Sequence, residues 1–197
     1  MYNKILCITG CDGTGKSTII ENLAKEIPNA YVAHIWDALQ DSSGKLFSSK
    51  EAVDDYLCGL TPNSRVLFLA HALKYSVDKG LKSNAQILTI DSYYYKYFAS
   101  ELTLGADKKL ICNLIENFTK PDIIVKLELT PDIVLGRKEI LSRYECGLAE
   151  KPTKEAFYSF QKQVINQWEF IKDENEIALN TTATIEETTT RILHLIA

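Results

Sequence analysis

One stretch limits what this chain can fold into more than any other. Residues 10 to 18 read Gly10-Cys11-Asp12-Gly13-Thr14-Gly15-Lys16-Ser17-Thr18, a complete G-x-x-x-x-G-K-[ST] phosphate-binding loop. The apolar run Ile5-Leu6-Cys7-Ile8 stands directly before it, and a helical pattern from Ile19 to Ile27 follows. The motif works only in that setting, between a strand and a helix N-terminus. Its glycines let backbone N–H groups close around phosphate oxygens, and the helix dipole favours the negative charge there. Lys16 is placed to reach the β/γ-phosphates, and the Ser17 hydroxyl is placed to ligate Mg²⁺. Gly10, Asp12, Gly13, Thr14, Gly15, Lys16, Ser17 and Thr18 are therefore the expected nucleotide-binding residues, with ATP and Mg²⁺ as expected ligands.

Around this loop, short β-type runs alternate with longer helical patterns. The strands read as Lys4–Thr9, Tyr31–Trp36, Gln86–Ile90, Ile123–Leu129 and a shorter Ile177–Leu179. Several are nearly continuous apolar runs, the mark of parallel strands covered on both faces. Helical patterns lie near 17–26, 50–59, 63–79, 92–118 with a break at Leu104-Gly105, 132–142, 153–173 and 184–196. The alternation predicts an α/β chain with a doubly wound, five-stranded parallel sheet, helices on both faces, and one domain over residues 1–197. A length of 197 residues suits one such domain better than two.

Composition narrows the partners. A net charge of −4 with no basic run argues against a nucleic-acid or membrane-surface partner. Cys7, Cys11, Cys58, Cys112 and Cys146 are scattered without a C-x-x-C pair, which suits reduced thiols in the cytoplasm. No apolar stretch approaches membrane-spanning length, and the chain runs straight into its first strand without a leader.

A phosphate loop is compatible with a kinase, a motor-type ATPase or a switching GTPase. Asp41-Ser-Ser-Gly44 has D-x-x-G spacing and Thr119-Lys-Pro-Asp122 has the form of a guanine-recognition element. The second should follow a strand, yet Leu110, Ile111, Leu114, Ile115 and Phe118 before it have helical spacing, which disfavours the GTPase. Asp91 closes an apolar strand at the carboxyl edge, where open α/β sheets bind ligands, and could hold a Mg²⁺-bound water or the acceptor, or cap the next helix.

Several stretches in order resemble the thymidylate kinase family of P-loop nucleoside monophosphate kinases. They are the loop with Asp12, Arg65-Val-Leu-Phe-Leu-Ala70, Ile87-Leu-Thr-Ile-Asp91-Ser-Tyr93, the run from Pro121 to Asp132, and Arg137 with Arg143-Tyr-Glu-Cys-Gly147. The resemblance implies phosphoryl transfer from ATP to a nucleoside monophosphate, dTMP first among them, with Asp12 touching the acceptor sugar. It implies a short lid over about 136–150 that supplies the catalytic arginine, Arg143 first and Arg137 toward the donor nucleotide. It also implies a homodimer formed through the helices near 63–79 and 105–118. Lys16, Asp91, Arg143 and Arg137 are then the catalytic candidates; Asp12, Arg65, Tyr93 and Trp36 line the acceptor side; Ser17 and Asp91 serve the metal.

The departures gather on the acceptor side. Ser92 stands where the family has an arginine after the aspartate, and Ala72 where it has one near the base edge. His34-Ile-Trp36-Asp37 replaces an Arg-Glu-Pro-Gly-type loop, and Ser100-Glu101 replaces Tyr-Gln. Arg65, Lys74 and Lys96 are the candidates to make up the missing charge. A same-fold kinase for another acceptor, such as a nucleoside, a modified nucleotide or another small hydroxyl compound, stays open beside the thymidylate reading. So does a non-catalytic ATP-binding paralogue. The aromatic run Tyr93-Tyr94-Tyr95 with Tyr97 and Phe98 reads mostly as packing, with Tyr93 the residue best placed to stack on an acceptor base.

Overall fold

In the computed structural model, which describes residues 4–39, 47–138 and 140–196, five parallel strands form one sheet in the order β2-β3-β1-β4-β5. They are β1 (Lys4–Thr9), β2 (Ala30–Ala33), β3 (Ile87–Asp91), β4 (Ile123–Glu128) and β5 (Glu176–Asn180). The helices are α1 (Lys16–Glu26), α2 (Lys50–Gly59), α3 (Pro62–Leu81), α4 (Tyr93–Thr103), α5 (Lys108–Ile115), α6 (Pro131–Arg137), α7 (Lys154–Ile171) and α8 (Ile185–Ile196). The strand β1 lies at the centre, between β3 and β4, in register Ile8↔Asp91 on one side and Ile8↔Val125 on the other. The chain order reverses across β1, so the ligand crevice of an open α/β sheet falls at its carboxyl end.

The pleat explains how one apolar run covers two faces. Ile5 and Cys7 of β1 enter the larger core with α3, α4 and α7, while Leu6 and Ile8 enter a second core with α1 and α8. Alternation with a period of two is invisible in the sequence, because both sets are apolar.

Helix starts follow local chemistry. The Thr61, Asp107 and Thr153 side chains accept from the N–H groups of Ser64, Lys109 and Ala156. At α8, the Thr184 hydroxyl accepts from Glu187 N–H and the Glu187 carboxylate accepts from Thr184 N–H, a reciprocal capping box. The helical region expected over 92–118 divides into α4 and α5, with Gly105 at φ 89° in the break.

Two expectations are corrected. The second strand ends at Ala33, not Trp36, because β3 pairs with it only through Ala33↔Ile90. Asp37 then folds the chain into a 3₁₀ turn over Ile35–Ala38, its carboxylate accepting from His34 N–H at 3.0 Å. The helix expected over 132–142 stops at Arg137. Beyond Lys138, extended at φ −104° and ψ 122°, a 3₁₀ turn at Tyr144–Cys146 is held by tertiary bonds instead. Thr119–Asp122 leads into β4 rather than following a strand, as the helical spacing before it implied: Asp122 Oδ2 accepts from Ile5 N–H at 2.7 Å, joining β1 and β4 at the end away from the phosphate loop. Asp41–Gly44 and Glu139 lie outside the described residues.

Arg65 is the deepest correction. Its side chain is 1% exposed; its Nε donates to both oxygens of Glu101, at 2.9 and 2.8 Å, and its Nη1 donates to the Leu57 and Leu60 carbonyls. The guanidinium is consumed in fastening α2 and α3 to α4 and does not line the crevice. Removing one member of such a pair leaves a buried charge alone, at a cost of about 3–5 kcal/mol. Arg65→Leu is expected to lower the unfolding free energy by about that much in urea titration. The double variant Arg65→Leu/Glu101→Leu should recover most of the loss, and a single-variant loss within error of zero would contradict the role.

Candidate active site

The phosphate loop leaves β1 at Gly10 and enters α1 at Lys16. Two of its glycines are sterically obligatory. A Cβ on Gly10, at φ 136°, would lie 2.4 Å from the Leu127 carbonyl oxygen of β4; one on Gly13, at φ 78°, would lie 2.3 Å from Val134 Cγ1 of α6. The loop is thus gripped by the sheet beneath and by α6 beside it. Thr14 is buried, its hydroxyl donating to the Cys11 carbonyl at 3.0 Å. The Lys16 ammonium arches over the loop and donates to the Gly10 and Cys11 carbonyls at 3.0 and 2.7 Å.

From the loop a cavity of about 520 Å³ extends across the carboxyl edge of the sheet. Asp12, Gly13, Gly15, Lys16, Ser17 and Thr18 form its floor, while Gly10 and Thr14 serve as frame beneath. Ile35, Trp36 and Leu39 of the turn after β2, Val53 and Leu57 of α2, and Phe68 and Leu69 of α3 make an apolar wall. Asp91 and Ser92 close β3, and Lys96 and Tyr97 face in from α4. Arg137, Lys138, Ser142, Tyr144 and Glu145 come from the segment expected as a lid.

Charge is concentrated where floor and wall meet. Lys96 Nζ lies 2.5 Å from Asp12 Oδ1, both side chains 12% exposed. Burial alone would raise the Asp12 pKa, but the ammoniums of Lys96 and Lys16 outweigh it and hold the carboxyl below its ordinary range. Lys96 moves the other way: burial works against its charge, and Asp12 more than restores it. For Lys16, burial and the neighbouring Lys96 charge together lower the pKa. Asp91 is likewise kept ionised against burial, its Oδ1 accepting from the Ser92 hydroxyl at 2.8 Å and its Oδ2 standing 3.4 Å from His34 Nδ1.

Ser17 and Asp91 offer two hard oxygen donors to the same cavity. Such a pair fits Mg²⁺, which takes one or two protein oxygens and completes its octahedron with water and phosphate. Among the described residues no group of three or more His, Cys, Asp or Glu side chains is placed to hold a metal by itself.

The structure sorts the remaining expected residues. Trp36 and Arg137 line the cavity. Arg143 does not: its Nε donates to the Ala149 carbonyl and its guanidinium stands 3.8 Å from Asp55 of α2, so the cations of that segment facing inward are Arg137 and Lys138. Tyr93 is fully buried, its hydroxyl donating to the Thr119 carbonyl at 3.0 Å. Ser92 and Tyr93 both have positive φ, 67° and 47°, and this departure from helical backbone sends Tyr93 into the aromatic core with Tyr94 and Phe118. Tyr97, one turn on, is the aromatic residue of this helix that meets the cavity.

Sequence reasoning missed Asp54. Its two carboxylate oxygens accept from the N–H groups of Arg143 and Tyr144, at 3.2 and 3.1 Å, and Tyr144 Oη donates to Glu101 Oε1 at 2.8 Å. A carboxylate at the positive end of a short turn is a common cap, but nothing local in sequence links residue 54 to residue 143. Lys138 with Glu145 adds a contact within the segment.

The chain is similar to known thymidylate kinases. A thymidylate kinase from Brachyspira hyodysenteriae is 24% identical over 200 aligned positions, covering 95% of both chains. One from Carboxydothermus hydrogenoformans is 27% identical over 79% of each, and a probable thymidylate kinase from Sulfolobus acidocaldarius is 27% identical over 68% of each. The solved thymidylate kinase of Candida albicans superposes with a TM-score of 0.70 at 17% identity, over 99% of this chain and 91% of that one. No family model matches the chain.

Asp54→Ala removes both acceptors from the turn. The amide protons of Arg143 and Tyr144 are expected to exchange with solvent roughly tenfold faster, as befits loss of a charged acceptor. Unchanged exchange at both would remove Asp54 from the description.

Proposed function

We propose that the chain, which is similar to thymidylate kinases in sequence and in fold, is a nucleotide kinase that transfers the γ-phosphoryl group of ATP to a nucleoside monophosphate, dTMP first. The observation that carries this is a single cavity joining a phosphate-loop floor to an apolar, aromatic wall, with Asp12 and Lys96 at the junction. The donor's phosphates fit on the floor under Lys16 and the N–H groups that open α1. The acceptor's base fits against Trp36, Phe68 and Tyr97, where flat apolar faces suit a pyrimidine.

Transfer forms a bond from an acceptor phosphate oxygen to the γ-phosphorus and breaks the bond to the β–γ bridging oxygen, so ADP leaves. Such a reaction needs alignment and charge on the equatorial oxygens more than covalent help. Lys16, Arg137 and Lys138 supply charge around that point. Mg²⁺, held through Ser17 and Asp91, would neutralise the β- and γ-oxygens. Closure of the segment over 136–150 would exclude water, and Arg143 would have to leave Asp55 to join the inward cations.

A homodimer accompanies this reading. Leu67 of α3 and Tyr56 of α2 are 52% and 44% exposed, in keeping with self-association through α3. Sedimentation is expected to give a dimer that Leu67→Glu converts to monomer; a wild-type monomer overturns it. All five cysteines are free thiols and, among the described residues, no helix is long and apolar enough to cross a membrane, in keeping with a cytoplasmic enzyme.

The test is ADP release with dTMP, other nucleoside monophosphates and thymidine as acceptors. dTMP is expected to give the highest kcat/KM. Lys16→Ala should abolish turnover, by a factor of about a thousand or more, with an unchanged circular dichroism spectrum. Preference for thymidine favours a neutral acceptor, and ATP binding without turnover on any of them favours a non-catalytic protein.

A further inference from the structure

We infer that Lys96 is the residue that holds the acceptor's phosphate, through the N–H donors it does not give to Asp12. This rests on the monophosphate reading above and names the group that makes the acceptor's phosphate matter.

Lys96 lies in the first turn of α4, four residues after Ser92, and both line the cavity. Its ammonium carries three donors. Among the described residues one donor is used, toward Asp12 at 2.5 Å, and the stem lies along Tyr97 with Nζ 5.0 Å from that ring's centre. A side chain that is 12% exposed, lines a cavity and keeps two donors to spare is arranged for an acceptor that arrives from outside.

Position distinguishes it from four other cations, while Arg137, which also lines the cavity, comes from the segment after β4 and is assigned above to the transferred group. Lys50 is exposed at the mouth, 5.4 Å over the Trp36 ring, and Lys138 is paired with Glu145. Arg143 faces Asp55, and the Arg65 guanidinium is buried on Glu101. Lys96 alone of these stands beside Lys16, near enough that its charge depresses the Lys16 pKa. Two ammoniums near Asp12, Lys96 in contact with it and Lys16 on the loop carbonyls, repel, and phosphate oxygens placed between them relieve that repulsion. The space they flank is where a donor phosphate and an acceptor phosphate must meet for transfer. The backbone N–H groups that open α4 add to the pull, since Ser92 makes no side-chain cap and the first turn holds no acidic residue.

An ammonium on a flexible stem can bridge Asp12 and a phosphate oxygen at once, whereas a guanidinium fork would favour one bidentate partner.

The measurement is the ratio of the thymidine to the dTMP dissociation constant, by calorimetry, for wild type, Lys96→Met, Asp12→Asn and Asp12→Asn/Lys96→Met. A charged hydrogen bond lost to phosphate predicts that the ratio falls about tenfold or more in Lys96→Met, with KM for ATP changed less than about threefold. The double variant should fall similarly relative to Asp12→Asn, which keeps the test valid should the lone Asp12 charge unfold the single variant. A role as mere counterion to Asp12 weakens thymidine and dTMP alike, leaving the ratio unmoved, and overturns the inference alone. A wild-type ratio near one overturns the monophosphate reading and this inference with it.

Discussion

The Glu101 carboxylate is fully buried and accepts from both Arg65 Nε and Tyr144 Oη, and much of the cavity's shape depends on it. Arg65 carries the connection to α3 and, through the Leu57 and Leu60 carbonyls, to the end of α2. Tyr144 carries it to the segment between α6 and α7. Three walls that share no strand pairing are thus referred to one carboxylate. Burial pushes the Glu101 pKa up while Arg65 and Tyr144 push it down, so its charge depends on both partners staying in place. Such an arrangement sets geometry more than it adds stability, since a well-packed apolar replacement of a buried pair can be neutral.

A second charge cluster lies at the start of α4. Asp12, Lys16, Lys96 and Asp91 occupy the junction of loop, β3 and helix; burial works against both carboxylates, and the Lys16 and Lys96 charges help hold their pKa values down. The two clusters have different ends. Around Glu101 the donors are saturated by protein and the result is a fixed frame. Around Lys96 donors remain, beside a phosphate loop whose Lys16 rests on its own carbonyls. Groups that stay partly unsatisfied next to an open cavity are those with work to do on a ligand.

Much of this was legible from residues alone. The β1 strand matches its expected span residue for residue, as does α2, because an apolar run before glycines and a Ser49 cap are local signals. Arg65 and Tyr93 were not legible. Both are residue types that serve binding sites as readily as cores, and only the packing of α3 on α4 and the positive φ at Ser92 and Tyr93 turned them inward. Arg143 erred by the same route: its neighbour Tyr144 fills the cavity wall, and the arginine takes the opposite side of a turn that Asp54 holds.

By itself the sequence determined the phosphate loop and the alternation of strands and helices that implies a parallel sheet, because each is written in residues near in the chain. The wall of the cavity opposite the loop was decided by tertiary structure. Which cation faces the cavity depends on how α2, α3, α4 and the segment after α6 meet, and those contacts span dozens of residues. Lys96 reaches Asp12 across 84 positions, and Asp54 reaches Tyr144 across 90. Charge alone cannot identify such partners in a string of residues, since an ammonium at the surface and one at a phosphate site are the same letter.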